Sequence, residues 1–139
     1  MGKEIIYRAG VIPFYVEDDE IKMLFMKPSD PKHGGKDFQI AKGKREEGET
    51  DEETAFREAR EELGLFSGNV IQRTDLGTFL GRTRIFLAEI KDKDMFGDPD
   101  DEVSEVKWLT PDKFNSKGRT IHRPVVKAAT RKIKKLKDL

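Results

Sequence analysis

Apolar residues dominate Ile5 to Val16 and again Ile21 to Lys27, and the acidic stretch Glu17-Asp18-Asp19-Glu20 separates the two runs. β-branched and aromatic runs bounded by a polar turn predict two strands joined as a hairpin. Pro13 has no N–H for a ladder, which predicts a sheet edge or a bulge at that point. After the Gly- and Pro-rich stretch from Pro28 to Lys36, Phe38-Gln39-Ile40-Ala41 reads as a short strand leading into a turn at Gly43. Thr50 to Leu63 changes period: Ala55, Phe56, Ala59 and Leu63 fall on one helical face, Thr50 and Glu53 are spaced as a capping box, and Gly64 supplies a stop. Thr78 to Ile90, broken at Gly81, and Val103 to Leu109 read as further strands, and Thr110-Pro111 opens a second helix with its cap and its first-position proline. From about Arg123, Val126, Ala129, Ile133 and Leu136 recur at helical spacing among basic residues.

Strands mixed with two or three helices, no internal repeat and no linker predict a single α+β domain over residues 1–139. The polar stretch Lys91 to Glu102 is short enough to be a loop of that domain. Lys+Arg 27 balances Asp+Glu 27, which argues against a globally basic nucleic-acid binder. Cysteine is absent, excluding thiol catalysis, Cys-ligated zinc, iron–sulfur clusters and disulfides. No apolar run approaches the roughly 20 residues of a membrane span. Met1-Gly2-Lys3-Glu4 opens no apolar leader, and Ile6 does not fit the Ser/Thr position of a myristoylation motif. The expectation is a soluble, cytoplasmic protein with no membrane partner.

Chemistry concentrates on the predicted helix at Thr50 to Leu63. Glu58, Glu61 and Glu62 stand at i, i+3 and i+4, crowding three carboxylates on one face. Each close like-charge pair costs roughly 0.2–0.5 kcal/mol unless a cation sits among them. Arg57 relieves part of this through Glu61, four residues on. A hard divalent cation suits such oxygens better, because Mg²⁺ is commonly shared between a few carboxylates and substrate phosphates. A solvated acidic face is the competing account of three carboxylates alone.

The wider spacing decides between them. Gly43, five residues, Glu49, seven residues, then Arg57-Glu58-Ala59-Arg60-Glu61-Glu62-Leu63-Gly64-Leu65 resembles the signature of the Nudix hydrolase family at every position. The resemblance implies an α/β/α sandwich around a mixed β-sheet. It also implies an Mg²⁺- or Mn²⁺-dependent pyrophosphohydrolase that cleaves a diphosphate linkage in a nucleoside diphosphate derivative. Carried over by position, Glu58, Glu61 and Glu62 are the implied metal ligands, Arg57 orients a ligand carboxylate, Glu49 holds the loop, and Gly43 allows close backbone approach. The general base of this family lies on the helix or on a later loop, so Glu102, ahead of Glu105, joins the catalytic candidates. Lys42, Gly43, Arg45 and Arg84 are candidate substrate contacts, since a polyanion needs cations near it, and Arg8 and Arg82 lie on or beside strands that could present them similarly.

Other signals carry less. Asp92 to Asp100 imitates a calcium loop, but Phe96 takes a ligand position and Val103 stands where the closing Glu belongs. Gly34-Gly35-Lys36 lacks the frame of a phosphate loop, and His33 and His122 are isolated. Nine Lys/Arg from Lys117 onward could draw RNA, yet no aromatics interleave with them and a docked helix with a basic outer face explains them equally well. Intact motif carboxylates favour catalysis over ligand sensing, and the missing cysteine disfavours an isopentenyl diphosphate isomerase. Length and the ending Trp108-Leu109-Thr110-Pro111 look like the small diadenosine polyphosphate hydrolases, which favours dinucleoside polyphosphates or ADP-sugars over nucleoside triphosphates or RNA 5′ ends. Phe14, Tyr15, Phe38 and Phe79 could cover a base or fill the core, and monomer and homodimer both stay open.

Overall fold

Six strands build one mixed sheet in the computed structural model, which describes residues 5–139; the leader and acylation readings of Met1 to Glu4 lie outside the described residues. In chain order the elements are β1 (Arg8–Glu17), β2 (Glu20–Pro28), β3 (Ala41–Lys44), α1 (Asp51–Leu63), β4 (Val70–Phe79), β5 (Thr83–Ile90), β6 (Val103–Leu109), α2 (Pro111–Lys117) and α3 (Arg123–Leu136). The strands run β4-β5-β1-β2-β6, and β3 also pairs with β1. β1 and β5 are parallel and every other pairing is antiparallel.

The period-2 alternation of the central strands sorts their side chains into two cores. Ile12 and Phe14 of β1, Met23 and Phe25 of β2, and Ile85 and Leu87 of β5 face Phe114 of α2 and Val125, Val126, Ala129 and Ile133 of α3. Ala9 and Val11 of β1 with Phe86, Ala88 and Ile90 of β5 face Ala55 and Ala59 of α1 on the opposite side. Helices therefore cover both faces, giving the α/β/α sandwich of the expected α+β fold.

Helix α1 starts and stops where its sequence says. Thr50 Oγ1 accepts from the Glu53 N–H at 3.1 Å, Glu53 returns a carboxylate oxygen to the Thr50 N–H at 2.9 Å, and Gly64 closes the helix at φ 74°. Three expectations need correction. Pro13 lies in the middle of the sheet, not at an edge: on the antiparallel side β1 pairs with β3 through Val11 and with β2 from Phe14, so the ladder passes over the residue that lacks an N–H. Gly43 sits inside β3 opposite Ala9, so the strand expected at 38–41 continues through it instead of turning, while Phe38 and Gln39 make isolated bridges. The strand expected from Thr78 is the end of a hairpin whose first arm, β4, begins at Val70. β4 is an exposed, polar edge, so it carries little of the apolar alternation by which strands are recognised.

Two connections shape the ground around β3. The chain between α2 and α3 docks beside residues 38–40: the Phe38 N–H donates to Lys117 O at 3.1 Å, the Arg119 N–H to Phe38 O at 2.8 Å, and the Ile40 N–H to His122 Nδ1 at 3.1 Å. The loop between β5 and β6 is fastened to the end of α1, with the Gly97 N–H donating to Gly64 O and the Asp100 N–H to Glu61 O, each at 2.8 Å. Helix α3 buries its apolar stripe in the larger core and leaves Lys127, Arg131, Lys132 and Lys134 exposed. Among the described residues no helix is long and apolar enough to cross a membrane.

Candidate functional site

Arg57, in the second turn of α1, ties the preceding loop to the helix. Its Nε donates to Glu49 Oε2 at 2.7 Å, and Nη2 donates to Glu49 Oε1 at 3.0 Å and to Lys44 O at 3.1 Å. Glu49 accepts further bonds from Thr54 Oγ1 at 2.8 Å and the Glu46 N–H at 3.0 Å. The Arg57 guanidinium, with these donors, pulls the Glu49 carboxyl down to about 2, and the same bond raises Arg57 above the ordinary arginine range. Glu49 is thus ionised and occupied in holding the loop. The remaining fork atom, Nη1, donates to Glu58 Oε2 at 3.0 Å and so aims that carboxylate.

Glu58 and Glu62 lie one helical turn apart and are partly buried, whereas Glu61 points outward. The side chain of Glu58 is 13% exposed and that of Glu61 46%, and Arg57 Nη1 reaches Glu61 only at 3.5 Å. Glu62 Oε1 accepts the Lys42 main-chain N–H at 3.0 Å, across from β3. Burial, reinforced by the Glu58 charge, pushes the Glu62 carboxyl up to about 8. Burial and then the Glu61 charge raise Glu58 as well. Gly43 makes this proximity possible: a Cβ there would stand 2.2 Å from the Glu58 carboxyl carbon. Close approach of backbone to carboxylate, not a turn, is why glycine occupies the position.

A cavity of about 220 Å³ opens beside these carboxylates, lined by Glu62 and Glu102 together with Arg8, Lys42, His33 and Gln39. Glu102 is exposed at its mouth, held by its own carbonyl accepting the Ser29 N–H at 2.8 Å. Glu105 faces Lys27 across the β2–β6 ladder at 3.9 Å instead. Of the expected substrate contacts, Lys42 and Arg8 reach the cavity. Arg45 does not: it is exposed and pairs with Asp51 at 3.6 Å. Nor is Arg84 among the lining residues: it makes a two-pronged pair with Asp75, and its neighbours Phe86 and Ala88 belong to the α1 face of the sheet. Arg82 donates to the Tyr7 hydroxyl at 2.9 Å. Phe14 and Phe38 are core residues.

Two participants escaped the sequence reading. Asp100, two positions before Glu102, is fastened to the end of α1 by its N–H on Glu61 O at 2.8 Å and adds its charge to both Glu58 and Glu62. Its membership in the acidic loop around Glu102 was the available signal. His122 is fully buried next to Lys42 and Arg119, and no motif marked it.

Among the described residues no three His, Cys, Asp or Glu side chains form a ready-made metal cage. The donors present still fit a hard divalent ion that is completed by substrate. Glu58 and Glu62 offer oxygen alone, are partly withdrawn from water and repel one another, and Glu62 lines an open cavity rather than a closed shell. Carboxylates on one wall and cations on the other can hold a phosphate chain at both its metal-bound and its free oxygens.

The NUDIX domain model matches residues 6–129. Solved structures share the fold: an Ap4A hydrolase of C. elegans in a binary complex is 17% identical, with 93% of this chain and 98% of that one covered and a TM-score of 0.72. RenU, a Nudix hydrolase of M. smegmatis, is 18% identical over 92% of this chain and 87% of its own, TM-score 0.72. The NUDIX domain of Shewanella oneidensis NrtR, complexed with ADP ribose, is 15% identical over 95% and 90%, TM-score 0.71. With the family model spanning nearly the whole sandwich and the Gly43 to Leu65 motif folded as loop and helix around the cleft, the chain belongs to the NUDIX domain family.

Proposed function

We propose that this chain hydrolyses a diphosphate linkage in a nucleoside diphosphate derivative, with dinucleoside polyphosphates and ADP-sugars as the favoured substrates, and that it uses Mg²⁺ or Mn²⁺. The observation that carries the reading is the division of one cavity between carboxylates, Glu62 and Glu102, and cations, Arg8 and Lys42. Glu58 and Glu62 would hold the ion, and when bound it supplies charge neutralisation at the diphosphate oxygens. Arg57 positions Glu58 through Nη1 and keeps the 44–49 loop in place through Glu49 and Lys44 O. Lys42 and Arg8 bind the phosphate oxygens that face away from the helix. Glu102, at the mouth, takes the proton of the attacking water. Similarity in fold to an Ap4A hydrolase and to a NUDIX domain complexed with ADP ribose supports the nucleotide class.

The test is product release from ADP-ribose, diadenosine tetraphosphate, NADH, nucleoside triphosphates and capped RNA, with and without Mg²⁺ or Mn²⁺. Glu62→Gln, which can still accept the Lys42 N–H, is measured beside the native chain. Metal-dependent cleavage of one class should fall by roughly a hundredfold or more in the variant, since the partners of metal ligands alone cost 10–100-fold. Metal-independent turnover, or full activity in Glu62→Gln, would overturn the assignment.

A further inference from the structure

A second cavity, of about 360 Å³, adjoins the cleft and shares Arg8 and Lys42 with it. Its other walls include Arg119, His122 and Thr83, and no carboxylate and no Phe, Tyr or Trp ring lines it. Arg8, Lys42 and Arg119 have no ion pair among the described residues. Lys42 and Arg119 are half-buried and Arg8 is exposed; half-buried cations are ordinarily paired, so two unpaired ones converging with Arg8 on one cavity call for an anion.

His122 sharpens the point. Its Nδ1 accepts the Ile40 N–H, so the neutral ring carries its proton on Nε2. That nitrogen is buried and without a hydrogen-bond partner, in a side chain with no exposure at all. An unmet donor beside three cations is the signature of a missing oxyanion. The arrangement is built by tertiary structure, since the docking of residues 117–122 on 38–40 carries Arg119 and His122 to Lys42.

We infer that the Arg8, Lys42, Arg119 and His122 cavity is a phosphoryl-binding subsite next to the hydrolytic cleft, so that the substrate carries a phosphoryl group beyond the anhydride that is cut. The statement about substrate rests on the proposed hydrolase reading; the statement that the cavity binds a phosphoryl anion does not. It separates polyphosphorylated substrates, with phosphate to spare, from ADP-ribose-like ones, whose two phosphates are both consumed at the scissile bond.

The native chain, stripped of metal, is titrated with inorganic tripolyphosphate by calorimetry, alongside Arg119→Gln and Arg45→Gln. Each variant removes one positive charge, but Arg45 lies outside both cavities. The native chain should bind, Arg119→Gln should weaken binding about tenfold or more, and Arg45→Gln should leave it within about twofold, because only a direct charge-assisted bond is lost in the first. In the unmodified protein the His122 Nε2–H resonance should shift on addition of tripolyphosphate. With Mg²⁺ present, Arg119→Gln should raise KM for diadenosine tetraphosphate and not for ADP-ribose. No binding by the native chain, equal loss in both variants, or an unmoved His122 resonance overturns the inference. Loss of turnover in Glu62→Gln with unchanged binding in Arg119→Gln would sink this subsite and leave the hydrolase standing. Arg119-dependent binding in a protein with no turnover would do the reverse.

Discussion

Acid should unfold this protein through one ring. His122 is held near pKa 3 rather than the usual 6.5, by burial first and then by the Lys42 and Arg119 charges. A proton arriving at Nδ1 would also set an N–H against the Ile40 N–H that the ring now accepts. Because the folded value lies below the unfolded one, the stability from the neutral ring is fully present above pH 6.5. It is lost as pH falls from there toward 3. At about 1.4 kcal/mol per unit, lowering the pH from 7 to 5 removes about 2 kcal/mol, a large share of a typical 5–15 kcal/mol. With a urea slope near 2 kcal/mol/M, the ring's share of the midpoint shift is about 1 M. Glu62, pushed up to about 8, and Glu58, raised as well, gain stability as the pH falls and so oppose the ring, and the measurement therefore compares the native chain with His122→Gln, in which both persist. Gln can accept the Ile40 N–H and cannot titrate. Its midpoint at pH 7 will be lower through lost packing, but on going to pH 5 the native chain should lose about 2 kcal/mol relative to it, because the carboxyl contributions are common to both. Urea curves at both pH values, in buffers free of phosphate, decide the matter. Parallel falls in the two proteins would refute the account of a neutral, buried imidazole.

Gly43→Ala forces a methyl group against the Glu58 carboxyl, at 2.2 Å from its carbon. Moving that flexible end should cost about 1–3 kcal/mol in thermal or urea denaturation, with turnover falling much further than stability. Arg57→Lys keeps the charge but cannot span Glu49, Lys44 O and Glu58 at once. It should lose about 1–3 kcal/mol of stability and roughly 10–100-fold in kcat, read from denaturation and steady-state rates.

Local rules account for much of what could be seen in the chain. The capping box at Thr50 and Glu53, the Gly64 stop and the Thr110-Pro111 helix start are satisfied within a few residues, so the same bonds form wherever the segment is placed. The motif from Gly43 to Leu65 belongs to this class too, because Arg57, Glu58 and Glu62 share one helix and Glu49 enters it. What was misjudged depended on neighbours remote in sequence. Pro13 is tolerated in the centre of the sheet only because β3 and β2 divide the side of β1 between them. β4 exists as the partner of β5 rather than through a pattern of its own.

The sequence by itself determined the family motif, the helix that presents it and the identity of its carboxylates, since these rest on spacing along one regular element. Only the tertiary structure decided which cations meet them. Arg45 is drawn to Asp51 and Arg84 to Asp75, while Arg8 of β1, Lys42 of β3 and Arg119 from the α2–α3 connection converge on one place. His122 reaches Ile40 across 82 positions. A charge in a chain carries no record of its partner: its role is set by burial and by the field of groups that folding brings near, and neither exists until the layers have packed.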